Sequence, residues 1–144
     1  RLHSQPDSSK IWQKRTLMPT PYITKQEEDV PLQMRGKEVF KFAVGASTTE
    51  VEALLKEIGM SKSDVRFYMV HQANLRIIDA IKKYLDEPDE KFPVNIQDHG
   101  NSSSASCAIL LDECNRKGMF KPGDILVFSA FGAGLLSAAA VLEW

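Results

Sequence analysis

A short apolar run that ends at a histidine is followed almost at once by a helical pattern. Residues 67–70 are Phe, Tyr, Met and Val, a continuous apolar stretch that predicts a buried strand. His71 follows, and from Asn74 to about Leu85 an apolar residue recurs at every third or fourth position, which predicts a helix. A histidine at the carboxyl end of a strand, beside the start of a helix, lies where α/β folds usually place their functional residues.

Strands and helices alternate along the chain from residue 36. Apolar residues at helical spacing predict two further helices, over residues 36–58 and about 104–118, each followed or ended by a glycine. Apolar runs predict three further strands, over residues 92–96, 125–131 and 136–144. The resulting order, α-β-α-β-α-β-β, predicts a three-layer α/β domain with a mixed, mostly parallel sheet covered on both faces. The last hairpin is expected to add one antiparallel strand.

The first 35 residues differ from the rest of the chain. They carry little periodicity, and four prolines interrupt them, so residues 1–35 are predicted to be a connecting or covering segment with a short strand at either end. The domain proper is predicted to span residues 36–144. The first residue is Arg1 rather than methionine, which suggests a processed or truncated piece of a longer protein.

Composition narrows the class of protein. The chain has 144 residues, of which 43% are hydrophobic, enough for one globular domain with a real core. A net charge of -1 argues against a nucleic-acid partner, because no basic excess exists to neutralise phosphates. No apolar run approaches the roughly 20 residues that span a bilayer, so no membrane association is expected. Two cysteines fit a reducing compartment, and a cytoplasmic location is predicted.

His71 and Asn101 occupy comparable predicted positions, each at or just past the end of a strand and before a helix. The carboxyl ends of parallel strands meet at one edge of a sheet, so both side chains are placed to face one ligand. An imidazole N–H and an amide N–H together form a two-donor site for an oxygen that gains negative charge. Spacing alone slightly favours the structural alternative, in which His71 is a core histidine and Asn101 a turn or cap residue.

Other candidates give weaker signals. The loop Gly132–Gly134 is either a hairpin that offers a backbone N–H to a substrate or a plain turn, and it lacks the third glycine of a dinucleotide-binding motif. Cys107 and Cys114 are predicted to pack in the core. The histidines show no metal-ligand spacing, so no metal is expected. No other cofactor is predicted. The three cations Arg76, Lys82 and Lys83 share one predicted helix, as a solvated face or as a docking patch for an acidic partner.

Three ordered motifs and one helix together carry a family resemblance. The motifs are VHQANLRII over residues 70–78, HGNSSSAS over 99–106 and FGAG over 131–134, and the helix matches over residues 34–41. From about Leu2 to Trp144 the chain resembles the carboxy-terminal half of β-ketoacyl-acyl-carrier-protein synthase III. The resemblance implies a thiolase fold, in which two similar halves pack as five layers, usually in a homodimer.

The resemblance also implies an activity. The family condenses an acyl-CoA primer, commonly acetyl-CoA, with malonyl-ACP to initiate fatty-acid biosynthesis. Coenzyme A and phosphopantetheine thioesters are its substrates, and acyl carrier protein (ACP) is its partner. A cysteine first takes the acyl group as a thioester. Malonyl-ACP then loses CO₂, and the resulting carbanion attacks that thioester.

Individual roles follow from the matched motifs. His71 and Asn101 would donate hydrogen bonds to the malonyl thioester oxygen, and the backbone amide of Ala133 would serve as oxyanion donor for the acyl-enzyme. For this role His71 should donate from Nε2, so its other nitrogen needs a partner that fixes the tautomer. The resemblance assigns carrier-protein or CoA binding to a further set of residues: Gln72, Ala73, Asn74, Leu75, Arg76, Gly36 and Phe40.

Two departures from the family pattern stand out. Lys37 occupies a position where familiar members have an asparagine near the pantetheine tunnel. The nucleophilic cysteine is absent, because neither Cys107 nor Cys114 aligns with it, and it belongs to the amino-terminal half. The chain is therefore expected to be a fragment that is inactive alone. The alternatives are a starter-condensing enzyme of polyketide or other secondary metabolism and a non-catalytic carrier-protein-binding fragment.

Overall fold

A computed structural model describes residues 2–4, 12–13, 33–133 and 135–144. The helices are α1 (Gly36–Glu57), α2 (Leu75–Leu85), α3 (Ile96–His99, a single turn) and α4 (Ser106–Arg116). The strands are β1 (Leu2–Ser4), β2 (Trp12–Gln13), β3 (Gln33–Met34), β4 (Val65–Val70), β5 (Ile125–Gly132) and β6 (Leu136–Glu143). Short 3-10 turns lie at Lys62–Asp64, Asp89–Lys91 and Ser103–Ala105.

In the part of the chain that the structure describes, four strands form the main sheet, in the order β1-β6-β5-β4. Strand β5 pairs in parallel with β4, whereas β6 pairs antiparallel with both β5 and β1. Strands β1, β4 and β5 therefore run in one direction, and β6 runs against them. The predicted mixed sheet with one antiparallel strand from the closing hairpin is confirmed.

Helices cover the two faces of this sheet, and β4 shows how. All of its residues except Arg66 are buried, and the side chains from Phe67 to Val70 alternate between two apolar clusters. Tyr68 and Val70 pack with residues of α1 and α2, while Phe67 and Met69 pack with residues of α4. This alternation follows from the two-residue repeat of a strand. The predicted three-layer α/β arrangement is confirmed.

Helix α1, which precedes β4, ends close to the predicted residue, and helix α2, which follows β4, begins close to its predicted start. Helix α1 stops at Glu57, and Gly59 follows with a φ of +72°, the left-handed conformation that glycine adopts without strain. Helix α2 begins after Asn74, whose side-chain oxygen accepts a hydrogen bond from the Arg76 backbone N–H at 2.9 Å. This N-cap lies four residues after Val70, the last residue of β4, and so fixes His71 in a short connection.

The predicted strand over residues 92–96 is wrong. Phe92 is buried because its ring stacks on Tyr68 with centroids 4.7 Å apart, not because it belongs to the sheet. Pro93 has no N–H to donate to a neighbouring strand. The backbone N–H of Asn95 donates instead to the side-chain oxygen of Gln72 at 3.2 Å. Buried apolar residues in this segment therefore reflect side-chain packing, and the short helix α3 follows where a strand end was expected.

The segment before α1 is described only in part. Strands β1 and β3 lie at either end of residues 1–35, where short strands were predicted, and the rest of the predicted cover, apart from Trp12–Gln13 and Arg35, lies outside the described residues. The division of the chain at residue 36 stays a prediction. Among the helices that the structure describes, none is long and apolar enough to cross a membrane.

Candidate active site at the ends of β4 and β5

His71 is the first residue after β4, and the sheet positions its backbone. Its N–H donates to the carbonyl oxygen of Ser129 at 2.8 Å, which continues the β4–β5 pairing by one residue. The ring of Phe131, two residues further along β5, meets the imidazole edge to face with centroids 5.3 Å apart. Backbone pairing and an aromatic contact thus hold the ring half-buried at the carboxyl end of both strands.

The side chain of Ser106, the first residue of α4, contacts one nitrogen of this imidazole. Nδ1 of His71 and Oγ of Ser106 lie 2.5 Å apart, and the backbone N–H of Gln72 donates to the same Oγ at 3.2 Å. Ser106 is 2% exposed, so its hydroxyl hydrogen is expected to bond to an acceptor inside the protein, and Nδ1 lies within hydrogen-bond distance. An imidazole that accepts at Nδ1 carries its hydrogen on Nε2.

The environment of His71 also favours its neutral form. Burial lowers the pKa of the imidazole below its ordinary value of 6.5, because a charged ring is poorly solvated there. Among the described residues, no acidic side chain contributes to this shift. His71 is therefore suited to donate a hydrogen bond from a neutral ring rather than to act as one member of an ion pair.

Asn101 is held by a local turn and not by the end of a strand, so its predicted placement is wrong in that respect. It follows α3 and Gly100, which has a φ of +63°. Its side-chain oxygen accepts a hydrogen bond from the Ser103 backbone N–H at 3.0 Å. Ser103 has a φ of +55°, a strained conformation for a residue other than glycine. With the oxygen engaged, the amide N–H₂ group of Asn101 is the end left to donate.

One cleft brings the two side chains together. It has a volume of about 1330 Å³ and is lined by His71, Asn101, Ser106 and residues of the β5–β6 turn. Ala133 is exposed in this turn and lines the cleft, whereas Gly134 lies outside the described residues. The structure therefore places three predicted site residues around one space, which spacing alone did not require.

The residues assigned to carrier-protein or CoA binding divide into two groups. Those that line the cleft or are exposed beside it are Gly36, Phe40, Ala73, Asn74, Leu75 and Arg76. Gln72 is different, because it is 1% exposed and its amide nitrogen donates to the Val70 carbonyl oxygen at 2.8 Å. The Gln72 side chain is therefore bonded inside the protein, and the assignment of the segment Gln72–Arg76 to carrier-protein contact stays a prediction.

Basic residues surround one side of the cleft. Lys37 and Lys41 on α1 line it together with Arg76 on α2. Lys82, by contrast, pairs with Asp89 at 2.9 Å and with Asp79 at 3.2 Å, and these carboxylates raise its pKa. The three cations of α2 therefore do not form one patch. Lys82 is paired with carboxylates of the protein, and Arg76 is the α2 cation that lines the cleft.

The two cysteines have different surroundings. Cys114 is 3% exposed and packs with Phe67 and Met69, as predicted for a core residue. Cys107 lines the cleft, and its thiol donates to the Met69 carbonyl oxygen at 3.7 Å. Burial raises the pKa of the Cys107 thiol, so it is not activated as a nucleophile. Among the described residues, no group of three or more His, Cys, Asp or Glu side chains is placed to hold a metal ion.

Sequence reasoning missed Ser106 as a site residue. Serines are common at helix starts, and Ser106 does start α4. Neither its type nor its position therefore marks a contact with a histidine 35 residues earlier. The proposed role of His71 did predict a partner for its Nδ1, but nothing in the sequence indicated which residue provides it.

A mixed sheet between two helical layers, with a histidine and an asparagine in one cleft at the strand ends, defines a thiolase-like α/β half. The chain belongs to the family of 3-oxoacyl-[acyl-carrier-protein (ACP)] synthase III C-terminal domains, whose model matches residues 55–144. The resemblance seen in the sequence motifs is thereby confirmed.

Curated relatives and solved structures agree with this assignment. The chain is 39% identical over 136 residues to β-ketoacyl-[acyl-carrier-protein] synthase III of Helicobacter pylori strain Shi470, which covers 94% of this chain and 41% of the relative. It is 42% identical over 127 residues to the enzyme of Caldanaerobacter subterraneus, covering 88% of the chain and 38% of the relative. The chain therefore spans less than half the length of these relatives.

Among solved structures, the synthase III of Thermus thermophilus superposes over 100% of this chain and 44% of its own, with a TM-score of 0.87 and 38% identity. The priming β-ketosynthase of the R1128 polyketide pathway superposes over 78% of this chain and 34% of its own, with a TM-score of 0.73 and 37% identity.

Proposed function

We propose that this chain is the half of a β-ketoacyl-acyl-carrier-protein synthase III that stabilises the enolate of a malonyl thioester. The observation that carries the proposal is the Ser106–His71 contact. This contact occupies Nδ1, so the imidazole would carry its hydrogen on Nε2. Nε2 has no hydrogen-bond partner among the described residues, and His71 lines the same cleft as Asn101. Two neutral donors that converge on one oxygen suit a charge that develops only during the reaction.

The proposed step is the decarboxylation of malonyl-ACP. The bond between the malonyl α-carbon and its carboxylate breaks, CO₂ leaves, and the electron pair moves into the thioester as an enolate. His71 Nε2–H and the Asn101 amide would donate hydrogen bonds to the enolate oxygen. Each preorganised donor of this kind is worth about 3–4 kcal/mol in the transition state.

The enolate carbon then attacks an acyl thioester on a cysteine, and the cysteine leaves as a thiolate. We propose that this cysteine lies in an amino-terminal half outside the present sequence, and that the backbone N–H of Ala133 donates to the oxyanion formed in the attack. Exposed apolar residues along one face of β6 support packing against such a half: Leu136 is 44% exposed and Leu142 is 39% exposed. A homodimer and acetyl-CoA as primer are part of the same proposal.

Acyl carrier protein is the proposed partner, and acyl-CoA the proposed second substrate. Phosphopantetheine arms carry phosphate, and carrier proteins of this type are acidic, so Lys37, Lys41 and Arg76 beside the cleft support both. Lys37 would contact the phosphopantetheine arm with a charged ammonium group, at a position where familiar family members have an asparagine amide. A primer used in polyketide synthesis is the second candidate, favoured by the likeness to the R1128 priming β-ketosynthase.

The test is to compare the present 144 residues with the intact protein, using acetyl-CoA and malonyl-ACP. The intact protein should form ketoacyl-ACP, and the 144 residues should not, although slow decarboxylation of malonyl-ACP is compatible with the proposal. Ketoacyl product from the 144 residues alone would contradict the fragment assignment. A preference of the intact protein for longer or branched acyl-CoA would favour the polyketide candidate.

A further inference from the structure

Helix α4 carries a carboxylate that holds both ends of the turn preceding Asn101. Glu113 accepts a hydrogen bond from the Asn95 side-chain nitrogen at 3.1 Å, and its other oxygen forms a hydrogen bond with Nε2 of His99. Asn95 is the residue before α3, and His99 is the last residue of α3. One side chain therefore spans the whole α3 turn, and Asn101 follows this turn by two residues.

The Asn95 end of this turn is also tied to the segment that follows His71. The backbone N–H of Asn95 donates to the Gln72 side-chain oxygen at 3.2 Å, and the Gln72 amide nitrogen donates to the Val70 carbonyl oxygen at 2.8 Å. Gln72 and Asn95 are 1% and 3% exposed, respectively. Breaking bonds between buried amides is costly because water does not replace them, so this chain of contacts holds its geometry.

Helix α4 holds the His71 side of the site as well. Ser106, at its first position, contacts Nδ1 of His71 and accepts from the Gln72 backbone. Glu113 lies seven residues later, which is two helical turns, so both side chains project from the same face of α4. A single rigid helix thus contacts the histidine directly at one end and the asparagine's turn at the other.

We propose that Glu113 is a positioning residue, which fixes Asn101 at the distance from His71 that two donors to one oxygen require. This inference rests on the proposed function and deepens it. Glu113 touches no reacting atom and acts through α3. Its removal should leave the cleft and the carrier-protein surface in place while allowing the Asn101 amide to move.

The experiment uses four variants of the intact protein. Glu113→Ala removes the contacts with Asn95 and His99 together with an exposed ion pair to Lys117 at 4.0 Å. Glu113→Gln also loses that ion pair but retains an oxygen for Asn95 and an N–H for a neutral His99. His99→Ala removes one contact at a partly exposed position. Asp112→Asn is the matched control, because Asp112 is adjacent on α4 but pairs with Arg116 at 2.7 Å on the exposed side. Condensation kcat, KM for malonyl-ACP, and amide hydrogen exchange over residues 95–105 are measured for each.

Glu113→Ala should lower kcat about 10- to 100-fold, the range expected when a catalytic group is misplaced by about 1 Å, with KM within about twofold. Exchange over residues 95–105 should accelerate. Glu113→Gln should retain most of the parental kcat, and Asp112→Asn should have the parental kcat. The kcat of His99→Ala should lie between those of Glu113→Ala and the parent. Should Glu113→Ala not fold, His99→Ala and Glu113→Gln still carry the comparison.

Folded Glu113→Ala and His99→Ala proteins that keep kcat within twofold of the parent would overturn the inference, whether or not exchange accelerates. Failure of the proposed function has a different signature. In that case His71→Ala would also condense at the parental rate in the same assay. Loss of activity in His71→Ala with full activity in Glu113→Ala would reject only the role of Glu113.

Discussion

Nδ1 of His71 lies 2.5 Å from the hydroxyl oxygen of Ser106, and this contact joins the end of β4 to the first residue of α4. The same hydroxyl accepts a hydrogen bond from the backbone of Gln72, and we assign its hydrogen to the imidazole. A histidine with Nδ1 as acceptor can only donate from Nε2 when it is neutral. The chemistry proposed for the cleft therefore depends on a serine that does not itself need to meet a substrate.

Replacing Ser106 tests this dependence. Ser106→Ala removes the donor to Nδ1, so the imidazole is free to carry its hydrogen on either nitrogen, and kcat for condensation should fall about 10-fold, equivalent to roughly 1.4 kcal/mol. Ser106→Thr keeps a hydroxyl and should retain most of the activity. ¹⁵N NMR of His71 in both variants identifies which nitrogen is protonated. A protonated Nδ1 in the neutral ring of the parent protein would contradict the assignment.

Burial of His71 predicts a direction for its pH dependence. Because the folded protein lowers the pKa of the ring below 6.5, the unfolded chain binds a proton more readily between that lowered pKa and 6.5. The contribution of His71 to stability is thus constant above pH 6.5 and becomes unfavourable as pH falls through this window. NMR titration of the His71 ring should show less than half protonation at pH 6.5. A ring more than half protonated at that pH would refute the effect of burial.

Arg76 should affect the carrier protein more than the chemistry. It lines the cleft from α2, so Arg76→Glu should raise KM for malonyl-ACP several-fold and change kcat little, and the difference should shrink at high salt because rim charges are screened. Lys83→Glu is a matched control on the exposed side of the same helix, away from the cleft lining, with the same change in charge. Equal effects of the two substitutions would indicate a general charge effect without a contact at Arg76.

The elements that the sequence pattern predicted correctly are those with a local physical cause. The continuous apolar stretch of β4 reflects burial on both faces, and the N-cap at Asn74 and the glycine after α1 set helix ends within a few residues. The strand prediction for residues 92–96 was wrong because an apolar residue there, Phe92, is buried by stacking on Tyr68 outside the sheet. Burial has more than one cause, and a short apolar run does not distinguish between them.

The site could be predicted only in part. Motif similarity identified His71 and Asn101, which the structure places in one cleft. The contacts of Ser106 with His71 and of Glu113 with Asn95 and His99 join residues 14 to 35 positions apart. Such pairs leave no periodic trace in the sequence. Gln72 shows the opposite case, because its place in a functional motif suggested a surface role and its side chain is buried.

The central claim is that His71 and Asn101 stabilise an enolate, and decarboxylation of malonyl-ACP isolates that step from acyl transfer. The measurement is the rate of CO₂ release by the intact protein and by its His71→Ala and Asn101→Ala variants, with carrier-protein binding measured on the same samples. Loss of one donor should lower the rate about 10²–10³-fold while binding is retained. Variants that bind the carrier protein and release CO₂ within threefold of the parental rate would contradict the account.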